Sequence, residues 1–269
     1  MDTRQLGTNG PDVSVICLGA WPLGGGMGVI PDDQAIATIH ASIDAGANFI
    51  DTAEGYRTSE GVLGKALKGR RDQVFLATKL SGDQSAEHMT EAIENSLRSL
   101  GTDYIDLYQL HRPQFEIPIE DTMANLEKLR DEGKIRYIGV SNFSGDHHRE
   151  AAKHGTIHSS QPRYNMLTRQ VEDDVLPACE ELGIGVIPHS VLAKAMLSGK
   201  YRPGHVFPSD DERVSKPEFV ESVFVPAMEI VEKLLEWAGD HGREGAQLAI
   251  AWCLANPVVT SCIVGAKTP

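Results

Sequence analysis

Ile105-Asp-Leu-Tyr-Gln-Leu-His111 has the length and composition of a strand and ends on a histidine. Two earlier runs also end on a polar residue. Phe49-Ile50 stops at Asp51, with Tyr56 following in Asp51-Thr-Ala-Glu-Gly-Tyr56, and Val74-Phe-Leu-Ala-Thr78 stops at Lys79. Each run precedes a helical pattern. Outward from these three, the strand candidates are Val13–Leu18, Asn48–Asp51, Val74–Lys79, Ile105–His111, Ile135–Ser141, Ile157–Gln161, Gly185–His189 and Val258–Val264. Between them, apolar residues recur three and four apart: Ile36, Ile39, Ile43; Met89, Ile93, Leu97, Leu100; Ile119, Met123, Leu126; Val171, Val175, Ala178, Leu182. Glycines at 46, 133 and 183 close helices before the next strand. Eight such units in 269 residues predict an α/β fold, a TIM (β/α)8 barrel, as a single domain over residues 1–269.

A doubly wound sheet would need fewer strands and a glycine-rich turn after the first. Gly24-Gly-Gly-Met-Gly28 does not supply that turn, because Val29 stands where G-x-G-x-x-G needs its third glycine, and no Walker lysine follows. It reads as a flexible loop on the face where the strands end. The net charge of −13 argues against nucleic acid as a partner. With no long apolar span and no N-terminal signal pattern, the expected protein is cytoplasmic and free of membrane. Cys17, Cys179, Cys253 and Cys262 lack metal or redox spacing, and no metal site is expected. His147-His148 and Asp210-Asp-Glu212 read as solvated. Ser198–Lys216 is a long irregular stretch, followed by helical spacing through Val220, Phe224, Ala227, Val231 and Leu234; it reads as a lid over a cofactor or as a plain surface loop.

In a parallel barrel all strand C-termini open onto one face, so Asp51, Tyr56, Lys79 and His111 would converge there. Together they suit proton transfer to a carbonyl. The residues around them resemble the aldo-keto reductase superfamily: Leu18-Gly-Ala-Trp21, Asp51-Thr-Ala-Glu-Gly-Tyr56, Ala77-Thr-Lys79, Asp106-Leu-Tyr-Gln-Leu-His111, Ile138-Gly-Val-Ser-Asn-Phe143 and Gln161-Pro-Arg-Tyr-Asn165, in order along the chain. The resemblance implies a barrel that binds a nicotinamide cofactor, NADPH or alternatively NADH, without a Rossmann fold. It also implies reversible hydride transfer to a small-molecule aldehyde or ketone.

Hydride addition places charge on the carbonyl oxygen, which then needs a proton donor. Tyr56 is the expected general acid and base, Lys79 and Asp51 the pair that lowers its pKa, and His111 the residue that orients the substrate. By resemblance, the cofactor is held by Ala20, Trp21 and Asp51, by Ser141, Asn142 and Gln161 at its carboxamide, and by His189, Ser190, Val191, Leu192, Lys194 and Lys200 along the loop after the seventh strand. Gly265 and Lys267 complete the set. His189 stands where the family has a stacking aromatic ring and Val191 where it has proline. The chain ends at Pro269, just past the eighth strand, where the family continues into a last helix, so an omitted tail is the expectation. The alternatives are a nicotinamide-binding regulatory subunit of the potassium-channel β type and a barrel aldolase using Lys79 as a Schiff base. Monomer and homo-oligomer remain equally open, and the substrate is set by the loops Pro22–Ile30, Pro113–Pro118 and Ser198–Lys216.

Overall fold

Side chains alternate across a strand, so each strand of a closed sheet sends every second residue inward. The computed structural model, which describes residues 1–114 and 116–269, shows what that alternation encloses. Phe115, within one of the expected pocket loops, lies outside the described residues. A hairpin of β1 (Thr3–Gln5) and β2 (Asp12–Ser14) comes first. The barrel strands follow: β3 (Ile16–Gly19), β4 (Phe49–Asp51), β5 (Phe75–Leu80), β6 (Ile105–Leu110), β7 (Ile135–Ser141), β8 (Ser159–Gln161), β9 (Gly185–Val186) and β10 (Cys262–Val264). These eight strands are parallel and lie in chain order, with β10 returning to β3. The ring closes where Val186 N donates to Val258 O and Thr260 N to Val186 O, at 3.2 and 2.7 Å. The molecule is a TIM barrel.

The helices stand outside it: α1 (Asp32–Asp44), α2 (Ser59–Ala66), α3 (Ala86–Leu100), α4 (Ile119–Asp131), α5 (Gly145–Ala151), α6 (Val175–Leu182), then α7 (Glu221–Asp240) and α8 (Gly245–Leu254) together between β9 and β10. Their apolar faces meet the outward strand residues Leu18, Ile50, Leu76, Tyr108, Ile138 and Val186 in one continuous core. The barrel interior is a second core of Cys17, Phe49, Ala77, Leu107, Ile187 and Ile263, closed from below by Leu6 and Val13 of the hairpin. Going up the inward rows, this apolar filling gives way to Asp51, Lys79, Gln109, Ser141 and Gln161, all buried. Among the described residues no helix is long and apolar enough to cross a membrane.

One expected strand divides. Val13–Leu18 is the end of the hairpin plus the start of β3, broken at Val15, whose N–H turns to Asp2 O (3.0 Å) while Ser14 Oγ donates to Ile16 O (2.7 Å). The helical pattern at Val171 is a short 3-10 turn, Gln170–Glu172, ahead of α6.

The interior is tight enough at Gly139 that a Cβ there would lie 2.2 Å from Ser159 Oγ and 2.8 Å from Gln109 Cγ. Gly139→Ala should therefore destabilise the fold by about 1–3 kcal/mol, the usual cost of overpacking. At Gly61, in α2, an added Cβ meets nothing within 4 Å. Gly61→Ala should raise stability by up to about 1 kcal/mol through helix propensity. Urea unfolding midpoints of the two variants check the contrast.

Candidate active site

Lys79 is fully buried at the inward end of β5, and a buried ammonium needs both a counter-charge and filled donors. It donates to Asp51 Oδ1 at 2.5 Å and to Thr52 O at 2.7 Å, both at the end of the neighbouring strand β4. The other carboxylate oxygen, Asp51 Oδ2, accepts from Gln109 Nε2 and Gln161 Nε2, each at 2.9 Å. Burial pushes the Lys79 pKa down. The charges of Asp51 and Tyr56 and their hydrogen bonds outweigh it and leave the ammonium above its ordinary range.

Tyr56 arrives on the turn after β4. Its N–H donates to Ala53 O at 3.0 Å, and its carbonyl accepts from Ser59 N at the start of α2. Arg57, at φ 51°, fixes the next residue by donating to Gly25 O at 2.7 Å. The Tyr56 ring meets Trp21 edge-on at 4.8 Å and His111 at 5.6 Å between centroids, and Lys79 Nζ lies 4.9 Å from its centre. Lys79 pulls the phenol pKa down, as the sequence predicts. Burial is the larger effect, however, and Asp51 adds to it, so the phenol stands above its ordinary value. Within the pair the lowering by Lys79 exceeds the raising by Asp51, but burial outweighs both in the resting chain. The pair keeps a cation beside a phenol that stays protonated.

His111 follows β6, with Nδ1 2.9 Å from Ser81 Oγ. Burial, helped by the charges of Lys79 and Arg112, lowers its pKa to about 3. The imidazole is therefore neutral at physiological pH.

The expected cofactor residues surround this centre. Ala20 N donates to Asp51 O at 2.8 Å. Ser141 Oγ donates to Gln161 O at 2.8 Å and accepts from Asn142 Nδ2 at 3.0 Å. His189 bridges Ser190 Oγ (2.9 Å) and Asn142 Oδ1 (3.3 Å), and burial lowers its pKa to about 3, with Lys79 adding to the effect. Ser190, Ala193, Lys194 and Ala195 all adopt left-handed φ between 47° and 76°. That conformation is unfavourable for L-residues and concentrates where structure serves function. Along this loop the N–H groups of Val191, Leu192, Lys194 and Ala195 find no acceptor among the described residues, and Val191 is buried while Leu192 is partly so. Lys200 is exposed. Gly265 packs against Pro22, and the Lys267 ammonium donates to Met27 O.

Ser198–Lys216 reaches across the catalytic face. Met27 pairs with Asp211, Glu212 N donates to Gly26 O at 3.4 Å, and Val29 N to Asp210 Oδ2 at 3.2 Å. Asp211 and Glu212 are thus not solvated as the sequence reading expects. Asp211 is buried against Arg213 Nη2 at 2.5 Å, and Glu212 Oε1 takes both Trp21 Nε1 (3.1 Å) and Lys194 Nζ (2.7 Å). His148 is a second correction: it is buried, with Nδ1 on Ser144 O and Nε2 on Ser160 Oγ. Among the described residues no cluster able to hold a metal occurs. Gln109, Ser81 and Glu212 belong to the site but were not among the expected residues. The first two share the inward parity of their strands, a signal that would have found them.

The family model described as the aldo/keto reductase family matches residues 15–269. The aldo-keto reductase YhdN of Bacillus subtilis (strain 168) is 38% identical over 284 aligned positions, covering 100% of this chain and 86% of that protein. Among solved structures, the glycerol dehydrogenase AKR11B4 from Gluconobacter oxydans superposes with a TM-score of 0.89 at 33% identity, covering 100% of this chain and 87% of that one. The holo form of aldo-keto reductase AKR11C1 from Bacillus halodurans gives a TM-score of 0.81 at 32% identity, with the same coverage.

The two half-buried neutral rings make stability depend on pH. His111 and His189 hold pKa values of about 3 against an ordinary 6.5. Below pH 6.5 the unfolded chain takes up protons that the folded one refuses until about pH 3. Their contribution is therefore complete above 6.5 and lost as pH falls through that window. Urea unfolding free energies should decline from pH 7 to pH 4, and His189→Gln should flatten the decline. An equal slope in the variant would show that His189 titrates normally.

Proposed function

The chain belongs to the aldo/keto reductase family, and from that membership we propose that it reduces aldehyde or ketone carbonyls to alcohols, reversibly, with NADPH preferred over NADH. Membership makes the protein an oxidoreductase acting on small-molecule carbonyls. The observation that carries the finer reading is the buried Asp51–Lys79 pair set beside a protonated Tyr56.

When bound, the nicotinamide supplies the hydride. As charge builds on the carbonyl oxygen, the Tyr56 phenol gives up its proton to it. Lys79, 4.9 Å from the ring centre, then faces a phenolate rather than a phenol, so its attraction grows along the reaction. Asp51 keeps Lys79 charged and still. Neutral His111 orients the oxygen. Residues able to hold the cofactor fit its chemistry. Ser141, Asn142 and Gln161 offer hydroxyl and amide groups to a carboxamide. The open N–H groups of Val191, Leu192, Lys194 and Ala195 offer donors to a diphosphate. Lys200 and Arg213 both act on the charge of Lys267, with Asp211 and Asp210 partly offsetting them, and the ammonium of Lys267 supports a phosphate monoester and hence NADPH.

Tyr56→Phe keeps the ring and removes the proton. Carbonyl reduction should fall by on the order of 10² or more, with cofactor affinity by fluorescence titration near that of the parent. Full turnover in that variant would sink the assignment. Lys267→Ala removes a charge-assisted contact worth roughly 1.5–3 kcal/mol to a 2′-phosphate. NADPH should bind about tenfold more weakly or worse and NADH almost unchanged. Equal losses for both cofactors would place Lys267 on the phosphates they share.

A further inference from the structure

Ser81 lies two residues beyond Lys79, past the end of β5, and its surroundings fix it on three sides. Its N–H donates to Glu54 Oε1 at 2.5 Å, and its carbonyl accepts from His88 Nε2 at 3.3 Å. Its hydroxyl lies 2.9 Å from His111 Nδ1 and has no other hydrogen-bond partner among the described residues. Gly55 covers that hydroxyl closely, since a Cβ there would lie 3.1 Å from Ser81 Oγ. Glu54 and Gly55 belong to the same segment that delivers Tyr56, so the turn that places the proton donor also clamps Ser81.

We propose that Ser81 is a positioning residue whose hydroxyl donates to His111 Nδ1 and so holds the imidazole in the tautomer with its proton on Nε2. The inference rests on the reading of this site as a carbonyl reductase, in which His111 meets the substrate oxygen. A neutral imidazole carries one ring proton, and the bond made by one nitrogen decides which keeps it. In the opposite tautomer Nδ1–H would donate to Ser81, and the serine's own hydrogen would be left without an acceptor in a half-buried place. Nε2 would then present a bare lone pair to an oxygen gaining negative charge. With Ser81 as donor, both nitrogens are satisfied and Nε2–H stabilises that oxygen. No charge on the ring is needed, which agrees with its cationic neighbours Lys79 and Arg112.

Nitrogen-15 spectra of the full chain test this directly, because protonated and bare imidazole nitrogens resonate far apart. The His111 signals among the ten histidines are assigned by their loss in His111→Gln. The parent should show a protonated Nε2 and a hydrogen-bonded, bare Nδ1. Ser81→Ala should give a mixture of tautomers and about a tenfold loss in kcat/KM for the carbonyl, the usual scale when an orienting partner is removed. NADPH affinity should hold. Ser81→Thr, which keeps the hydroxyl, should restore both the spectrum and the rate. A protonated Nδ1 in the parent overturns the proposal, as does an unchanged tautomer in Ser81→Ala or a changed tautomer with full kcat/KM. The spectrum is read without turnover, so a chain that reduces no carbonyl would remove the functional reading while the tautomer still stood or fell on its own.

Discussion

The buried ion pair between Lys79 and Asp51 is the constraint around which the catalytic face is arranged. An ammonium with no solvent contact survives only where its charge is matched and its donors are filled. β4 contributes the carboxylate and the Thr52 carbonyl, while β6 and β8 contribute the two glutamine amides that occupy the carboxylate's second oxygen. Four strands are therefore tied at their C-terminal ends by one polar layer. Removing either charge would leave the other buried and uncompensated, which costs about 3–5 kcal/mol. The layer is also the floor of the cleft, so the interaction that keeps the top of the barrel together sets the electrostatics of whatever binds above it.

A second constraint acts on the loops. The left-handed run through Ser190, Ala193, Lys194 and Ala195 is costly for residues with a Cβ, and the N–H groups of Val191, Leu192, Lys194 and Ala195 lack acceptors among the described residues. Both features are unfavourable to the isolated chain and are offset by the packing of this loop against Phe224, Met228 and Val231 of α7. Glu212 ties the arrangement together by taking hydrogen bonds from Trp21, on the loop after β3, and Lys194, on the loop after β9. The loop 198–216 and the glycine-rich segment after β3 thus meet over the catalytic face instead of standing apart.

Period-two alternation with polar ends made most barrel strands legible, and β7 was read to the residue at Ile135–Ser141. The reading failed where the signal ran on through a break. Apolar character continues from the hairpin into β3, so Val15 gave no warning that the chain changes sheets. α2, α5 and α8 are short, and they were not among the helices the spacing picked out. Asp51, Lys79 and His111 were legible because each closes a strand-like run, and Tyr56 because it follows Asp51 on the next turn. His148 and Asp211 were misread because the partners that bury them, Ser160 and Arg213, are set by the fold or by a local turn and not by a period. The pull of Lys79 on the phenol could be argued from sequence, but the depth of burial that outweighs it could not.

The same burial bears on the direction of the proposed reaction. At neutral pH the site holds an ammonium on Lys79, a proton on the Tyr56 phenol and a neutral imidazole at His111. That is the proton inventory a carbonyl reduction consumes: one proton is available, and the cation that will stabilise the resulting phenolate is already in place. Alcohol oxidation would begin from the phenolate, a form that desolvation disfavours in the resting chain. Lys79 offsets part of that penalty and Asp51 returns some of it, since the carboxylate that holds the ammonium also repels a phenolate. The balance between these two charges, one favouring the product of proton transfer and one opposing it, lets a residue with an ordinary pKa near 10 serve as a proton donor without becoming an inert phenol.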